Sequence, residues 1–148
     1  MPSTHLSLHY HLVFSTKDRI PFIRSEWRSD LHAYLGGIVK EIRGIPVAIG
    51  GVEDHVHLLI GLRAIHRLDY VMRDIKAGSS GWVHDIIGSK KFEWQSGYLG
   101  LTVSPSQVER VRRYILNQEK HHRRKSFQEE YLELLKMSAI EYDERFIW

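Results

Sequence analysis

Gly50-Gly51-Val52-Glu53-Asp54-His55-Val56-His57-Leu58-Leu59-Ile60-Gly61-Leu62 opens with a glycine pair and two acidic residues, and a run of alternating side chains follows. Val56, Leu58, Ile60 and Leu62 fall on one face of an extended strand, and His55, His57, Leu59 and Gly61 fall on the other. One face is core. The other carries two imidazoles that converge on one point, because residues two apart in a strand share a face. The glycine-rich start is a tight turn from a preceding strand over residues 46–52, so a hairpin is predicted here.

Upstream, residues 6–15 repeat the design, with Leu8, Tyr10, Leu12 and Phe14 on one face and His9, His11 and Val13 on the other. Pro21 and the polar Thr16-Lys17-Asp18-Arg19 end that strand. Between the two strands, Trp27, Leu31, Leu35, Ile38 and Ile42 keep helical spacing, with Ser25 placed as N-cap and Gly44 placed to stop the helix. Downstream, Leu68, Val71, Met72 and Ile75 mark a second helix that runs on to Trp82 past Gly78 and Gly81. A polar loop over 88–97 and a fourth strand over 98–104 follow. The order is β-α-β-β-α-β, the α+β, ferredoxin-like pattern: an antiparallel sheet with both helices on one face.

That arrangement leaves the histidine face uncovered, and the rest of the chain supplies a cover. Ser104-Pro105-Ser106-Gln107 has the spacing of a capping box with proline at the first helical position, which predicts a helix running through Gln118. Ser126-Phe127-Gln128-Glu129 repeats the signature and starts a last helix carrying Tyr131, Leu134 and Leu135. Whether the cover lies over its own sheet or a partner's is open at the level of sequence.

With 148 residues, the chain reads as a single domain over 1–148, completed by the C-terminal helices from about residue 105. No segment approaches the ~18 apolar residues of a membrane span, and the start lacks the basic-then-apolar pattern of a signal peptide. A soluble, cytoplasmic protein without a membrane partner is therefore expected. There is no cysteine, which excludes disulfides and thiolate metal sites; a metal must be held by histidine, carboxylate, amide oxygen or water. Net charge is only +3, but Arg110, Arg112, Arg113, Lys120, Arg123, Arg124 and Lys125 cluster, with His121 and His122 among them. That is the electrostatic footprint of a phosphate-backbone partner.

The same basic stretch contains Tyr114 and Gln118, four residues apart and so on one face of a helix. A phenol and an amide oxygen can then meet the imidazoles of His55 and His57. This combination predicts a divalent cation held by His55, His57 and Gln118 beside an attacking tyrosine, Tyr114. Such a site withdraws charge from a scissile phosphate while the tyrosine replaces one phosphodiester by another. His9 and His11, with the same spacing on a neighbouring strand, are expected behind the ligands or facing DNA, with a rival role as the ligands themselves. Tyr131 has Leu135 one turn on and reads as packing. Trp82, Trp94 and Trp148 are candidates for stacking on bases, against core packing as the alternative.

In these residues the chain resembles the single-tyrosine HUH transposases of bacterial insertion sequences, the TnpA type, with their REP-associated relatives. The resemblance lies in His55-Val56-His57, in Tyr114-Ile115-Leu116-Asn117-Gln118-Glu119-Lys120-His121-His122, in the opening residues from His9 to Arg19, and in Trp94-Gln95-Ser96-Gly97-Tyr98. It implies a transposase that cleaves and rejoins single-stranded DNA at hairpin-marked ends through a 5′-phosphotyrosine, a Mg²⁺ or Mn²⁺ cofactor, and a homodimer. On that basis Tyr114 is the nucleophile, and His55, His57 and Gln118 are the metal ligands. Lys17, Arg19, Arg112, Lys120, Arg123 and Arg124 are expected to face DNA, and His121 and His122 to stand behind the ligands. Two alternatives share these residues: a domesticated relative that processes chromosomal palindromes, and a non-catalytic nucleic-acid-binding module.

Overall fold

The computed structural model describes residues 3–122, 125–143 and 145. Strands β1 (Leu8–Ser15), β2 (Ile45–Gly51), β3 (His55–Leu62) and β4 (Leu99–Val103) form one sheet in the order β2-β3-β1-β4. Every neighbouring pair is antiparallel. Helices α1 (Ser25–Glu41) and α2 (Leu68–Trp82) fall between the strands, and α3 (Val108–Leu116), α4 (Gln118–His121) and α5 (Phe127–Met137) follow the sheet. This is the ferredoxin-like arrangement that the alternation predicts.

The alternation also decides what lies on each face. Leu12, Phe14, Val56, Leu58 and Ile60 meet Leu31 and Leu35 of α1 and Val71, Met72 and Ile75 of α2 in the main core. On the second face, Ile115 of α3 packs on Ala48, Leu59 and Val103, while Phe127, Tyr131 and Leu135 of α5 pack with Val13 and Leu99. The C-terminal helices therefore cover the sheet of their own chain. Strand β3 is buried along its whole length, as a strand flanked and covered on both faces must be. The β1–β3 register sets Val13 opposite His57 and His11 opposite Leu59, so His11 and His57 are diagonal neighbours on the covered face.

Several helix ends differ from the sequence reading. Ser104 makes no cap bond; its hydroxyl faces Ser106 Oγ at 3.3 Å, and a short 3₁₀ turn (Pro105–Gln107) precedes α3. The predicted continuous helix through Gln118 is broken at Asn117, whose N–H is shared between the carbonyls of Arg113 (3.2 Å) and Tyr114 (3.3 Å). At this break the carbonyl of Ile115 lies against Gly50 of β2, a contact that only a residue without Cβ permits. Ser25 is the first residue of α1 rather than its cap. Helix α1 is closed by Arg43, at φ 70°, and not by a left-handed Gly44. Gly44 is needed for space instead, since a Cβ there would sit 3.0 Å from Val39 Cγ1 and 3.2 Å from the carbonyl of Gly61. Ser126 does cap α5, accepting from the N–H of Glu129 at 3.2 Å. Among the described residues, no helix is long and apolar enough to cross a membrane.

Candidate metal centre and tyrosine

Beneath α3, α4 and α5, the covered face of the sheet carries a buried polar cluster. His55 and His57 point the same way from β3, and both are fully buried. Their Nε2 atoms lie 3.3 Å and 2.9 Å from one oxygen, Oε1 of Glu130, which α5 brings in from above. His122, just past α4, adds its own Nε2 at 3.2 Å from the same oxygen. The break at Asn117 turns Gln118 inward, where its Oε1 stands 2.9 Å from His122 Nε2 and 3.3 Å from His55 Nε2. The hydroxyl of Tyr114, on the last turn of α3, donates to the other oxygen of Glu130, Oε2. His121 Nε2 approaches that oxygen at 3.2 Å and the phenol oxygen at 3.5 Å.

The outer ring nitrogens are held as well. His55 Nδ1 lies 2.7 Å from the Asp54 carboxylate, His57 Nδ1 lies 2.8 Å from His11 Nε2, and His122 Nδ1 lies 2.6 Å from the carbonyl of Lys125. A carboxylate or carbonyl there takes the Nδ1 proton and turns the Nε2 lone pair inward, as partners of metal-bound histidines do. The inward atoms of His55, His57, His122 and Glu130 lie within 4.8 Å of one another, a span close to two bonds of roughly 2.1 Å to a central ion. The donor set fits a divalent cation.

Electrostatics follow from burial and from Glu130. Burial opposes the charge on His55, yet hydrogen bonds to Asp54 and Glu130 outweigh it and raise its pKa to about 9. In His57 burial prevails and lowers the value to about 4. His11 falls to about 3, by burial and by the neighbouring His57. Burial likewise works against the Glu130 carboxylate, but hydrogen bonds from His122, His55 and His57 hold it far below the ordinary range. The Tyr114 phenol is pushed well up, by burial and by the charge of Glu130 beside it.

Among the described residues, two clefts reach the inward-facing donors or Tyr114. One, of about 330 Å³, is lined by His11, Arg110, Tyr114, His121 and Glu130. The other, of about 530 Å³, runs between α1 and the α3–α4 break past Arg28, His32, Gly50, Gln118 and Lys120.

The expected residues are only partly assembled. His55, His57, Gln118, Tyr114, His11, His121 and His122 come together, with His122 Nε2 among the inward-facing atoms. His9 does not reach the group: it lies two residues further along β1, roughly 7 Å away by strand rise, and its Nδ1 faces Ser7 Oγ at 3.4 Å. Lys17 pairs with Glu93 at 3.4 Å on the surface, and Arg19 lies in the turn after β1 with φ 58°. Arg112 pairs with Glu109 at 3.2 Å, and Lys120 lines the larger cleft. Arg123, Arg124 and Trp148 lie outside the described residues. Trp94 is core, its Nε1 donating to Ser79 Oγ at 2.9 Å, and half-buried Trp82 stacks on Tyr34, so neither is a free base-stacking platform. Glu130 and Asp54 were missed by the sequence reading. A signal for Glu130 existed: a carboxylate set on the apolar stripe of a helix, between Phe127 and Leu134.

Fold and pocket together define a ferredoxin-like α+β protein with a buried histidine–carboxylate centre beside a tyrosine. The chain belongs to the IS200-like transposase family, whose description, "Transposase IS200 like", matches residues 4–118. Its structure is similar to that of a protein of Deinococcus radiodurans R1 assigned as a transposase, with 27% identity, a TM-score of 0.66, and coverage of 80% of this chain and 95% of that one. It also shares its fold with a REP-associated tyrosine transposase solved bound to a REP hairpin, at 13% identity and a TM-score of 0.57, covering 78% of this chain and 68% of that one. No curated protein sequence matches the chain.

Proposed function

We propose that this transposase cuts and rejoins single-stranded DNA at hairpin-marked ends through a 5′-phosphotyrosine on Tyr114, with His55, His57 and Gln118 holding a divalent cation, Mg²⁺ or Mn²⁺ by the family resemblance. The observation that carries the reading is the two-sided contact of Glu130. One of its oxygens faces the imidazoles and the other holds the Tyr114 hydroxyl, so the nucleophile and the metal donors share one pocket. A hairpin-bound neighbour of the same fold supports the choice of DNA substrate.

The bound cation would supply Lewis-acid withdrawal of charge from the scissile phosphate. The protein's own groups do the rest. Tyr114 oxygen forms a bond to phosphorus as the bond from phosphorus to the 3′ oxygen breaks, leaving a free 3′-hydroxyl and a phosphotyrosine of similar bond energy, which permits rejoining without ATP. Glu130 holds the phenol hydroxyl through Oε2 and so orients it. His121, with Nε2 3.5 Å from the phenol oxygen, is the neighbouring base for the phenol proton, which ends on the departing 3′ oxygen. Arg110 and Lys120 line the clefts by which the strand enters and offer phosphate contacts. Residues 1–148 act as one catalytic domain, and the family resemblance makes the working form a homodimer.

The test incubates labelled hairpin-bearing single strands with protein and divalent ion, then looks for a denaturation-resistant adduct. Tyr114→Phe should form none while binding DNA nearly as the wild type does. An adduct at the wild-type rate in that variant, or wild-type cutting without any adduct, refutes the proposal. A monomer in sedimentation at the concentrations that support strand joining refutes the pairing.

A further inference from the structure

We propose that the cation site is a His₃–Glu centre, in which His122 and Glu130 are ligands alongside His55 and His57, and that it prefers a first-row transition ion to Mg²⁺. The inference rests on reading the pocket as a metal-dependent cleavage centre and adds to it two ligands and an ion class.

Three observations converge. Oε1 of Glu130 lies 2.9, 3.3 and 3.2 Å from Nε2 of His57, His55 and His122. The Nδ1 atoms of the same three rings are taken by His11, Asp54 and the Lys125 carbonyl. A carbonyl only accepts, so His122 carries its proton on Nδ1 and, when neutral, presents a lone pair inward. The Asp54 carboxylate imposes the same tautomer on His55, and His11 can accept from His57. Three lone pairs aimed at an anionic oxygen repel unless protons or a cation stand between them. The third observation is burial: Glu130 is 1% exposed, on a helix face otherwise made of Phe127, Tyr131 and Leu135. Burying a carboxylate costs several kcal/mol unless charge and hydrogen bonds compensate, so packing does not explain it.

The donor set also ranks the ions. Mg²⁺ favours oxygen ligands and retains several waters, whereas three imidazoles favour later first-row ions, with Mn²⁺ the weakest of that series. Gln118 Oε1, 2.9 Å from His122 Nε2, stands at the edge of the set as an exchangeable fifth donor. Because Oε2 of the same Glu130 holds the Tyr114 hydroxyl, ligation by Oε1 orients the nucleophile.

Cobalt(II) titration of the full chain, read by visible ligand-field absorption without DNA, tests the centre. Wild type should develop bands saturating at one equivalent, and a hundredfold excess of Mg²⁺ should not displace them. Glu130→Gln and His122→Asn should each weaken Co²⁺ binding at least tenfold and alter the bands, while exposed Glu133→Gln should leave them unchanged. Circular dichroism and melting confirm folding of each variant, and His122→Asn decides the matter if Glu130→Gln does not fold. Wild-type bands and affinity in either folded ligand variant, or displacement by equimolar Mg²⁺, overturn the proposal. The adduct assay on the same preparations separates the two readings. Bands as described with no adduct refute the cleavage reading, whereas an adduct without bands refutes the His₃–Glu centre.

Discussion

Replacing Gly50 by alanine should displace the tyrosine helix. A Cβ at this position would stand 2.2 Å from the carbonyl oxygen of Ile115 and 3.0 Å from its carbon. A carbon–oxygen contact needs about 3.3 Å, so the backbone at the end of α3 must retreat by about 1 Å. Tyr114 precedes the displaced carbonyl and Gln118 follows it, and both move with it. Overpacking of this size costs about 1–3 kcal/mol, which for a chain of this length lowers Tm by roughly 3–10 °C. A 1 Å misplacement at the reacting atoms costs on the order of a hundredfold in rate. The assay is single-turnover adduct formation at saturating DNA, with melting recorded on the same samples. Gly37→Ala and Gly81→Ala are the controls, since nothing lies within 4 Å of a Cβ at either position. Gly50→Ala with wild-type rate and wild-type Tm would refute the argument that this contact sets the position of the tyrosine.

Two further outcomes are expected. Burial, and then the charge of Arg28, lower the pKa of His32 from 6.5 to about 4 while Glu119 opposes them, so the unfolded chain binds this proton first. Its contribution is intact above pH 6.5 and is lost as pH falls toward 4; His32→Asn should therefore flatten the slope of stability against pH in that window by about one proton, read by denaturant titration. An unchanged slope would mean His32 titrates normally. Alanine at Arg112 or Lys120 should weaken binding to all single strands alike and reduce the slope of log K against log salt by up to about 0.7 each, with Arg112 smaller because it is shared with Glu109. A change in sequence preference instead would assign that side chain to a base.

The parts of the fold visible in sequence are those where pattern and packing agree. Strands β1 and β3 alternate because each has an apolar core face, and that alternation by itself placed His55 and His57 on one side of the sheet. The break at Asn117 was not visible, because it accompanies the approach of the Ile115 carbonyl to Gly50, two residues far apart in the chain. Arg43 closing α1 was hidden for a related reason: Gly44 looks like the stop, but the neighbouring backbone of Gly61 claims its missing side chain. Glu130 escaped because Ser126 to Glu129 reads as an ordinary capped helix start, and acidic residues near a helix N-terminus need no further explanation. Only its burial reveals it, and burial there depends on how α5 lies across the sheet.

The centre is assembled from chain segments made far apart in time. Glu130 follows His57 by 73 residues, which at roughly 5–20 residues per second is on the order of 4–15 s of ribosomal synthesis. During that interval the sheet and its first two helices can form, but the two histidines lack their carboxylate throughout and have no tyrosine beside them until Tyr114 has been added. On the reading proposed above, an emerging polypeptide acquires a complete centre only once α5 has docked, so a chain released before residue 130 should form no adduct with DNA.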